Sequence, residues 1–175
     1  MKITYFVNVT TENDELGLSS GWTNESISGI GKLDAQKLRS TIDVNLFDYI
    51  FCSDLKKSRE TCDIVFEGKN IIEDKRLREC NYGVFDGKDK RLVKYMEHIN
   101  TPFMQGESLK QVETRVKEFI LELKENYNKK KIAIVGGDSL RLAIEVICNK
   151  KTWVKAIEDN LKNTVDSKVG CEYKL

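Results

Sequence analysis

The residue types that could do chemistry in this chain lie directly after two apolar segments. Asn8 and Thr10 follow the segment 2–7, and the segment 131–135 runs into 136–138, two glycines and an aspartate. The backbone N–H groups of a helix that starts after such a glycine pair favour a bound anion. The aspartate carboxylate can act as a base or nucleophile, or it can cap the helix. The only histidine, His98, belongs to neither segment, and we expect it on the surface rather than in the site.

Strands and helices must alternate to position these residues. Runs of β-branched and aromatic residues predict strands at 2–7, 46–51, 71–72 and 131–135. Helical patterns lie between them, so the sequence predicts an α/β fold, a three-layer α/β/α sandwich with a mainly parallel sheet. Ligands bind beyond the carboxyl ends of the strands in such sheets. That rule indicates a site formed by 8–11, 53–59 and 136–138.

Five helices are predicted from capping residues and apolar spacing. Their N-caps are Ser28, Asp54, Ser108, Asp138 and Thr152, and Gln111 completes a capping box with Ser108. In the first helix, the predicted inward face consists of Ile30, Leu33, Leu38 and Ile42. In the last helix, it runs through Trp153, Ile157 and Leu161.

Length and composition predict one domain over residues 1–175 and exclude several function classes. The net charge is +1 and both signs are mixed along the chain, so we expect no nucleic-acid partner. We expect no membrane partner either, because there is no signal peptide and no long apolar span, and we expect a cytoplasmic location. The five cysteines lack the spacing of a zinc site or a redox pair, so we expect reduced thiols, no metal and no cofactor.

Six motifs occur in a fixed order along nearly the whole chain. They are KITYFV with its Thr-rich turn, LSSGW with Ser28-x-x-Gly31, CSDLKK with Thr61, LREx-x-YGxxxG from Leu77 to Gly87, GES with Arg115, and IAIVGG. In this order they resemble the histidine phosphatase superfamily, the phosphoglycerate mutase-like fold. The resemblance implies a phosphoryl-binding cradle at the carboxyl ends of the strands.

In that family, a histidine after the first strand attacks the phosphoryl group, and a second histidine with arginines holds its oxygens. A carboxylic acid protonates the leaving oxygen. Carried over to this chain, the nucleophile position is Asn8 and the second histidine position is Gly137. An amide nitrogen is not nucleophilic, because its lone pair is delocalised. The clamp arginine becomes Lys57, which keeps the charge without the bidentate fork, whereas the acid position is kept as Glu79.

The candidate site combines both lines of reasoning. The candidate ligand-binding residues are Asn8, Thr10, Lys57, Arg78, Gly136 and Gly137, and the candidate catalytic residues are Glu79 and Asp138. The acidic residues of the loop 12–15 would oppose binding of a highly charged phosphate ester.

Three hypotheses for function follow, in order of preference. The first is a non-catalytic protein that binds a small molecule, phosphorylated or not, or another protein chain, including a second copy of itself. The second is an enzyme with changed chemistry in the same pocket, using Asp138, Glu79, Lys57 or a thiol of Cys80 or Cys171. The third is a weak phosphomonoesterase that uses Glu79 and direct attack by water. A site that has drifted after losing its function is the remaining alternative.

Overall fold

Five strands form one sheet in the computed structural model, which describes residues 1–162 and 170–174. The strands are β1 (Lys2–Val7), β2 (Tyr49–Cys52), β3 (Ile71–Glu73), β4 (Lys131–Gly136) and β5 (Cys171–Lys174). Their spatial order is β3-β2-β4-β1-β5. β1 to β4 run parallel, whereas β5 pairs antiparallel with β1. The carboxyl ends of β1 and β4 are therefore neighbours, as the sequence predicted.

Six helices accompany this sheet in the described ranges. They are α1 (Glu12–Glu15), α2 (Gly29–Thr41), α3 (Lys56–Val65), α4 (Leu109–Asn126), α5 (Asp138–Asn149) and α6 (Trp153–Lys162). Buried residues of α2 and α3 pack on one face of the sheet, and those of α4, α5 and α6 pack on the other. The side chains of β1 alternate between the two cores, because Ile3 and Tyr5 point to one and Phe6 to the other. The predicted α/β/α sandwich with a mainly parallel sheet is confirmed.

None of the helices in the described residues is both long and apolar enough to span a lipid bilayer.

The buried face of α2 differs from the predicted one. Ile30 and Leu33 are each 58 % exposed, whereas Gly31, Ala35 and Leu38 are buried. A methyl group at position 31 would lie 2.1 Å from the carbonyl oxygen of Thr10, so the helix passes very close to the loop after β1. The prediction of an inward stripe through Ile30 and Leu33 is wrong, because this close approach selects the face with the smallest side chains.

Three predicted caps are present. The hydroxyl of Ser28 accepts the N–H of Gly31 at 3.1 Å. Ser108 and Gln111 form the reciprocal capping box of α4, with distances of 2.7 and 3.2 Å. The hydroxyl of Thr152 accepts the N–H of Lys155 at 3.2 Å.

Two other predicted caps are wrong. Leu55 is the N-cap of α3 and makes no side-chain capping bond, because the carboxylate of Asp54 is bound by Arg78 instead. Gly137 is the N-cap of α5, and Asp138 is the first residue inside that helix. A carboxylate at the first position still interacts favourably with the helix dipole, although it does not cap the helix.

The segment predicted as a strand at 46–51 begins later than expected. β2 starts at Tyr49, because Val44–Leu46 form a 3₁₀ turn whose N-cap, Asp43, accepts the N–H of Asn45 at 3.0 Å.

Two elements, α1 and β5, were not predicted from the sequence. The acidic loop that includes α1 is ordered by a capping box, in which Thr11 and Asp14 exchange hydrogen bonds.

Candidate functional site

A cavity of about 720 Å³ opens at the carboxyl ends of β1 and β4. From β1 the chain crosses to the α2 face of the sheet, and from β4 it crosses to the α5 face, so the crevice lies where the two crossovers diverge. Five residues at its base, here called the floor, are Asn8, Lys57, Glu79, Gly137 and Asp138. Five others, here called the apolar rim, are Leu18, Val93, Met96, Ile157 and Leu161.

Asn8 stands directly after β1. Its backbone N–H donates to the carbonyl of Gly136 at 2.7 Å, which fixes it beside the end of β4. Its side-chain oxygen is buried and has no hydrogen-bond partner in the described part of the chain. An amide in this position can hold a polar ligand group by hydrogen bonds, but it has no nucleophilic atom.

The carboxylate of Glu79 fills the space beside Gly137. A methyl group at position 137 would lie 1.7 Å from Oε2 of Glu79. Oε1 accepts hydrogen bonds from the backbone N–H groups of Cys80, at 2.8 Å, and Ser139, at 3.1 Å. Glu79 therefore sits at the N-terminus of α5, where the helix dipole and free N–H groups favour an acceptor.

Glu79 titrates near neutrality. Burial raises its pKa to about 7, although the positive charge of Lys57 and the hydrogen bond from Cys80 both oppose the rise. A carboxyl group with this pKa is present in both protonation states at neutral pH, so it can donate or accept a proton.

Arg115 of α4 holds the segment that carries Glu79. Its guanidinium donates to the backbone carbonyls of Arg76, Arg78 and Glu79 at 2.6, 2.7 and 3.0 Å. It also pairs with Glu107 at 3.0 Å. Glu107 and Arg115 thus hold the segment that carries Glu79 in position, although neither side chain belongs to the cavity floor.

Lys57 extends from α3 into the floor and is almost fully enclosed. Its ammonium group donates to the backbone carbonyls of Ser20 and of Gly21, the latter at 3.1 Å. It also forms an ion pair with Glu25 at 3.5 Å, and the two side chains are only 3 % and 9 % exposed. The cation predicted at the clamp position is therefore present, but protein groups already surround it.

Asp138 lies at the edge of the floor, and its side chain is 54 % exposed. The walls of the cavity remove part of its hydration, which raises its pKa, whereas Arg141 at 3.8 Å opposes this. It is the floor carboxylate most open to solvent.

Three predicted site residues lie outside the cavity wall. Arg78 forms two hydrogen bonds of 2.6 Å with Asp54 and stacks 4.6 Å above the ring of Trp22. Its hydrogen bonds lower the pKa of Asp54. Gly136 is buried within β4, beside Tyr5. Thr10 turns its carbonyl to α2, and its neighbour Thr11 lines the cavity instead.

The sequence did not indicate the upper wall of the cavity. The hydroxyl groups of Tyr82 and Tyr95 lie 2.6 Å apart and both rings line the cavity. Leu161 was predicted to face inward but is 73 % exposed at the rim. A tyrosine in a sequence does not distinguish a cavity wall from a packed core.

Residues with other reactive groups do not contribute to the floor. His98 stacks on Phe103 with ring centres 3.7 Å apart, and its Nδ1 lies 3.1 Å from the carbonyl oxygen of Thr101. Burial raises the pKa of the Cys80 thiol, which favours its unreactive protonated form. Cys171 lies on β5. No group of three potential metal-binding side chains occurs among residues 1–162 and 170–174.

Comparisons with known proteins give one family. The model of the "Histidine phosphatase superfamily (branch 1)" matches residues 10–154. A phosphoserine phosphatase 1 from Hydrogenobacter thermophilus is 26 % identical over 148 residues, covering 78 % of this chain and 70 % of its own. A 2,3-bisphosphoglycerate-dependent phosphoglycerate mutase from Allorhizobium ampelinum is 29 % identical over 168 residues, covering 85 % and 79 %. The crystal structure of the α-ribazole phosphatase from Shigella flexneri superposes with a TM-score of 0.78 at 20 % identity, covering 90 % and 84 %.

Proposed function

Because the chain belongs to the histidine phosphatase superfamily, we propose that it keeps the ligand cavity of that fold but has lost the phosphohistidine mechanism. Asn8 and Gly137 stand at the two histidine positions. The protein binds a small molecule in the cavity and transfers no phosphoryl group. A phosphorylated metabolite or a segment of another protein chain is a further candidate for the occupant.

The observation that carries the proposal is the position of Glu79. Its carboxylate occupies the space next to Gly137, so the floor has no room for a side chain there while Glu79 keeps its hydrogen bonds. Asn8 offers no nucleophile on the other side. In an unrelated protease, removal of a catalytic nucleophile lowers turnover on the order of 10⁶-fold. A comparable loss here leaves binding as the property that the cavity can still supply.

The absence of phosphoryl transfer is tested by quenching the reaction in base, in which a phosphohistidine is stable. The protein is mixed with radiolabelled phosphomonoesters, and both released phosphate and protein-bound label are measured. We expect neither to exceed the buffer background, whereas an active member of the superfamily assayed in parallel gives both. Label that remains on this chain after denaturation in base would refute the proposal.

Binding is tested separately by thermal denaturation with a panel of metabolites. A ligand present at 100 times its Kd stabilises the folded state by about 2.7 kcal/mol. We expect at least one compound to act in this way and Asn8→Leu to abolish its effect, because the variant removes the amide from the floor. Asn70→Leu, on the exposed surface, is the matched control. A panel without any stabilising compound would count against the small-molecule version.

A second candidate function is an enzyme that uses Glu79 as an acid or base and forms no phosphohistidine, either on a new substrate or on a phosphomonoester. The observation that favours it is the pKa of about 7 for a carboxyl group facing the cavity. If this is correct, any turnover found, including slow phosphomonoester hydrolysis, should disappear in Glu79→Gln and persist in the exposed control Glu118→Gln. Turnover that survives in Glu79→Gln would exclude this role.

A further inference from the structure

Protein groups already surround the ammonium group of Lys57. Two of its three N–H donors bond to the carbonyl oxygens of Ser20 and Gly21. The carboxylate of Glu25 forms an ion pair with it at 3.5 Å. An oxyanion that entered the floor would have to compete with Glu25 for this cation.

Glu25 in turn depends on Lys57. Neither of its carboxylate oxygens has a hydrogen-bond partner in the described residues, although its side chain is only 9 % exposed. A buried carboxylate is tolerated when a cation compensates its charge. The two residues therefore form an ion pair without net charge, and Glu25 offsets part of the positive charge that Lys57 exerts on the floor.

The remaining charges of the cavity do not replace that cation. Asp138 and the partly ionised Glu79 add negative charge at the floor. Lys94 lies toward the rim, 62 % exposed, and is paired with Glu97 at 3.5 Å. Solvent screens such exposed charges. Lys90 is likewise an exposed residue of the cavity wall.

We propose that Glu25 determines the charge of the ligand by keeping Lys57 neutralised, so that the cavity rejects oxyanions. The group that reaches the floor is an uncharged polar group such as an amide or a hydroxyl, and an apolar part of the same molecule contacts the rim. Asn8 and Glu79 suit such a group, because each can both donate and accept a hydrogen bond near neutral pH. This inference rests on the ligand-binding function proposed above and specifies the chemical class of the ligand.

The test compares phosphate binding by wild type and Glu25→Gln. Calorimetric titration with inorganic phosphate at constant ionic strength should give no measurable binding to the wild type. Glu25→Gln should bind phosphate measurably, because a charge-assisted bond to Lys57 becomes available. Its Kd should be at least about tenfold lower than the weakest Kd that the titration can detect for the wild type. The double variant Glu25→Gln/Lys57→Gln should lose that gain. The exposed control Glu118→Gln should behave as wild type.

A folded Glu25→Gln variant with unchanged phosphate binding would overturn the proposal. If circular dichroism shows that this variant does not fold, the double variant decides, since it replaces the ion pair by two amides of similar size. Wild type and double variant should then respond equally to phosphate. Phosphate binding by the wild type that the double variant loses would show that Lys57 binds anions in spite of Glu25.

The head group is tested with probes that share one apolar body. Benzamide should bind the wild type more tightly than phenyl phosphate or benzylamine, and Glu25→Gln should reverse the order of benzamide and phenyl phosphate. Tighter binding of benzylamine would assign a cationic ligand and refute the uncharged head group. The phosphate comparison requires no natural ligand, so its failure is distinct from a failure of the proposed function, which the phosphoryl-transfer assay and metabolite panel test.

Discussion

At position 137, a side chain and the carboxylate of Glu79 compete for the same space. We expect Gly137→Ala to lower the free energy of unfolding by about 1–3 kcal/mol, because the methyl group would lie 1.7 Å from Oε2 of Glu79. In a Glu79→Ala background, the same substitution should cost much less, since the space is then empty. Urea denaturation of the four proteins of this double-mutant cycle measures the difference.

Additive effects in that cycle would mean that the two positions do not share the space.

The same geometry determines the outcome when a histidine is introduced at both positions 8 and 137. In Asn8→His/Gly137→His, the second imidazole can enter only if Glu79 leaves the N–H groups of Cys80 and Ser139. We therefore expect no phosphatase activity from this variant, although it carries an imidazole at both positions.

At the scale of elements, α4 determines where the acid stands. Arg115→Ala should lower the free energy of unfolding by about 3 kcal/mol, because it removes the ion pair with Glu107 and the hydrogen bonds to three backbone carbonyls. Arg115→Lys should cost about half as much, since it keeps the charge but cannot bridge several acceptors at once. Urea denaturation monitored by circular dichroism measures both effects.

Lys117→Ala provides the control for that comparison. Lys117 lies on the same helix but is exposed, so its loss should change the free energy of unfolding by less than about 0.5 kcal/mol. Equal effects of Arg115→Ala and Lys117→Ala would mean that the guanidinium does not support the acid-bearing segment.

The elements that the sequence predicted correctly are those with local signals. The capping box of Ser108 and Gln111, the strands β1 and β4 and the alternation of strands and helices along the chain all follow from residues close together in the chain. The face of α2 could not be predicted in this way, since it depends on how closely Gly31 approaches the carbonyl of Thr10. A hydrophobic count favours Leu33 at that face, whereas the geometry requires a residue without a side chain.

The candidate site shows the same division. Motif order brought Asn8 and Gly137 to the ends of β1 and β4, because parallel strands place their carboxyl ends together. By contrast, Glu79 contacts Gly137 although 58 residues of sequence separate them, and Lys57 pairs with Glu25 across 32 residues. Pair distances of this kind arise from packing, and a single sequence does not reveal them.

At the scale of the whole molecule, the buried acid should make stability depend on pH. The pKa of Glu79 rises from an ordinary value of 4.5 to about 7 in the folded state. Between these two values, the folded state holds more protons than the unfolded state, so stability falls as pH rises. Above pH 7 the effect is complete, and ionised Glu79 then lowers the free energy of unfolding on the order of 3 kcal/mol relative to its protonated form.

Glu79→Gln isolates this contribution from other titrating groups, such as Asp54, whose lowered pKa acts in the opposite direction at acid pH. Glutamine keeps the acceptor for Cys80 and Ser139 but does not ionise. The variant should match the wild type near pH 4 and exceed it in unfolding free energy at pH 8, as measured by urea denaturation across that range. Glu118→Gln should remain parallel to the wild type at every pH. A constant difference between wild type and Glu79→Gln would mean that the cavity floor keeps a carboxylate with an ordinary pKa, and acid–base chemistry at neutral pH would then lose its physical basis.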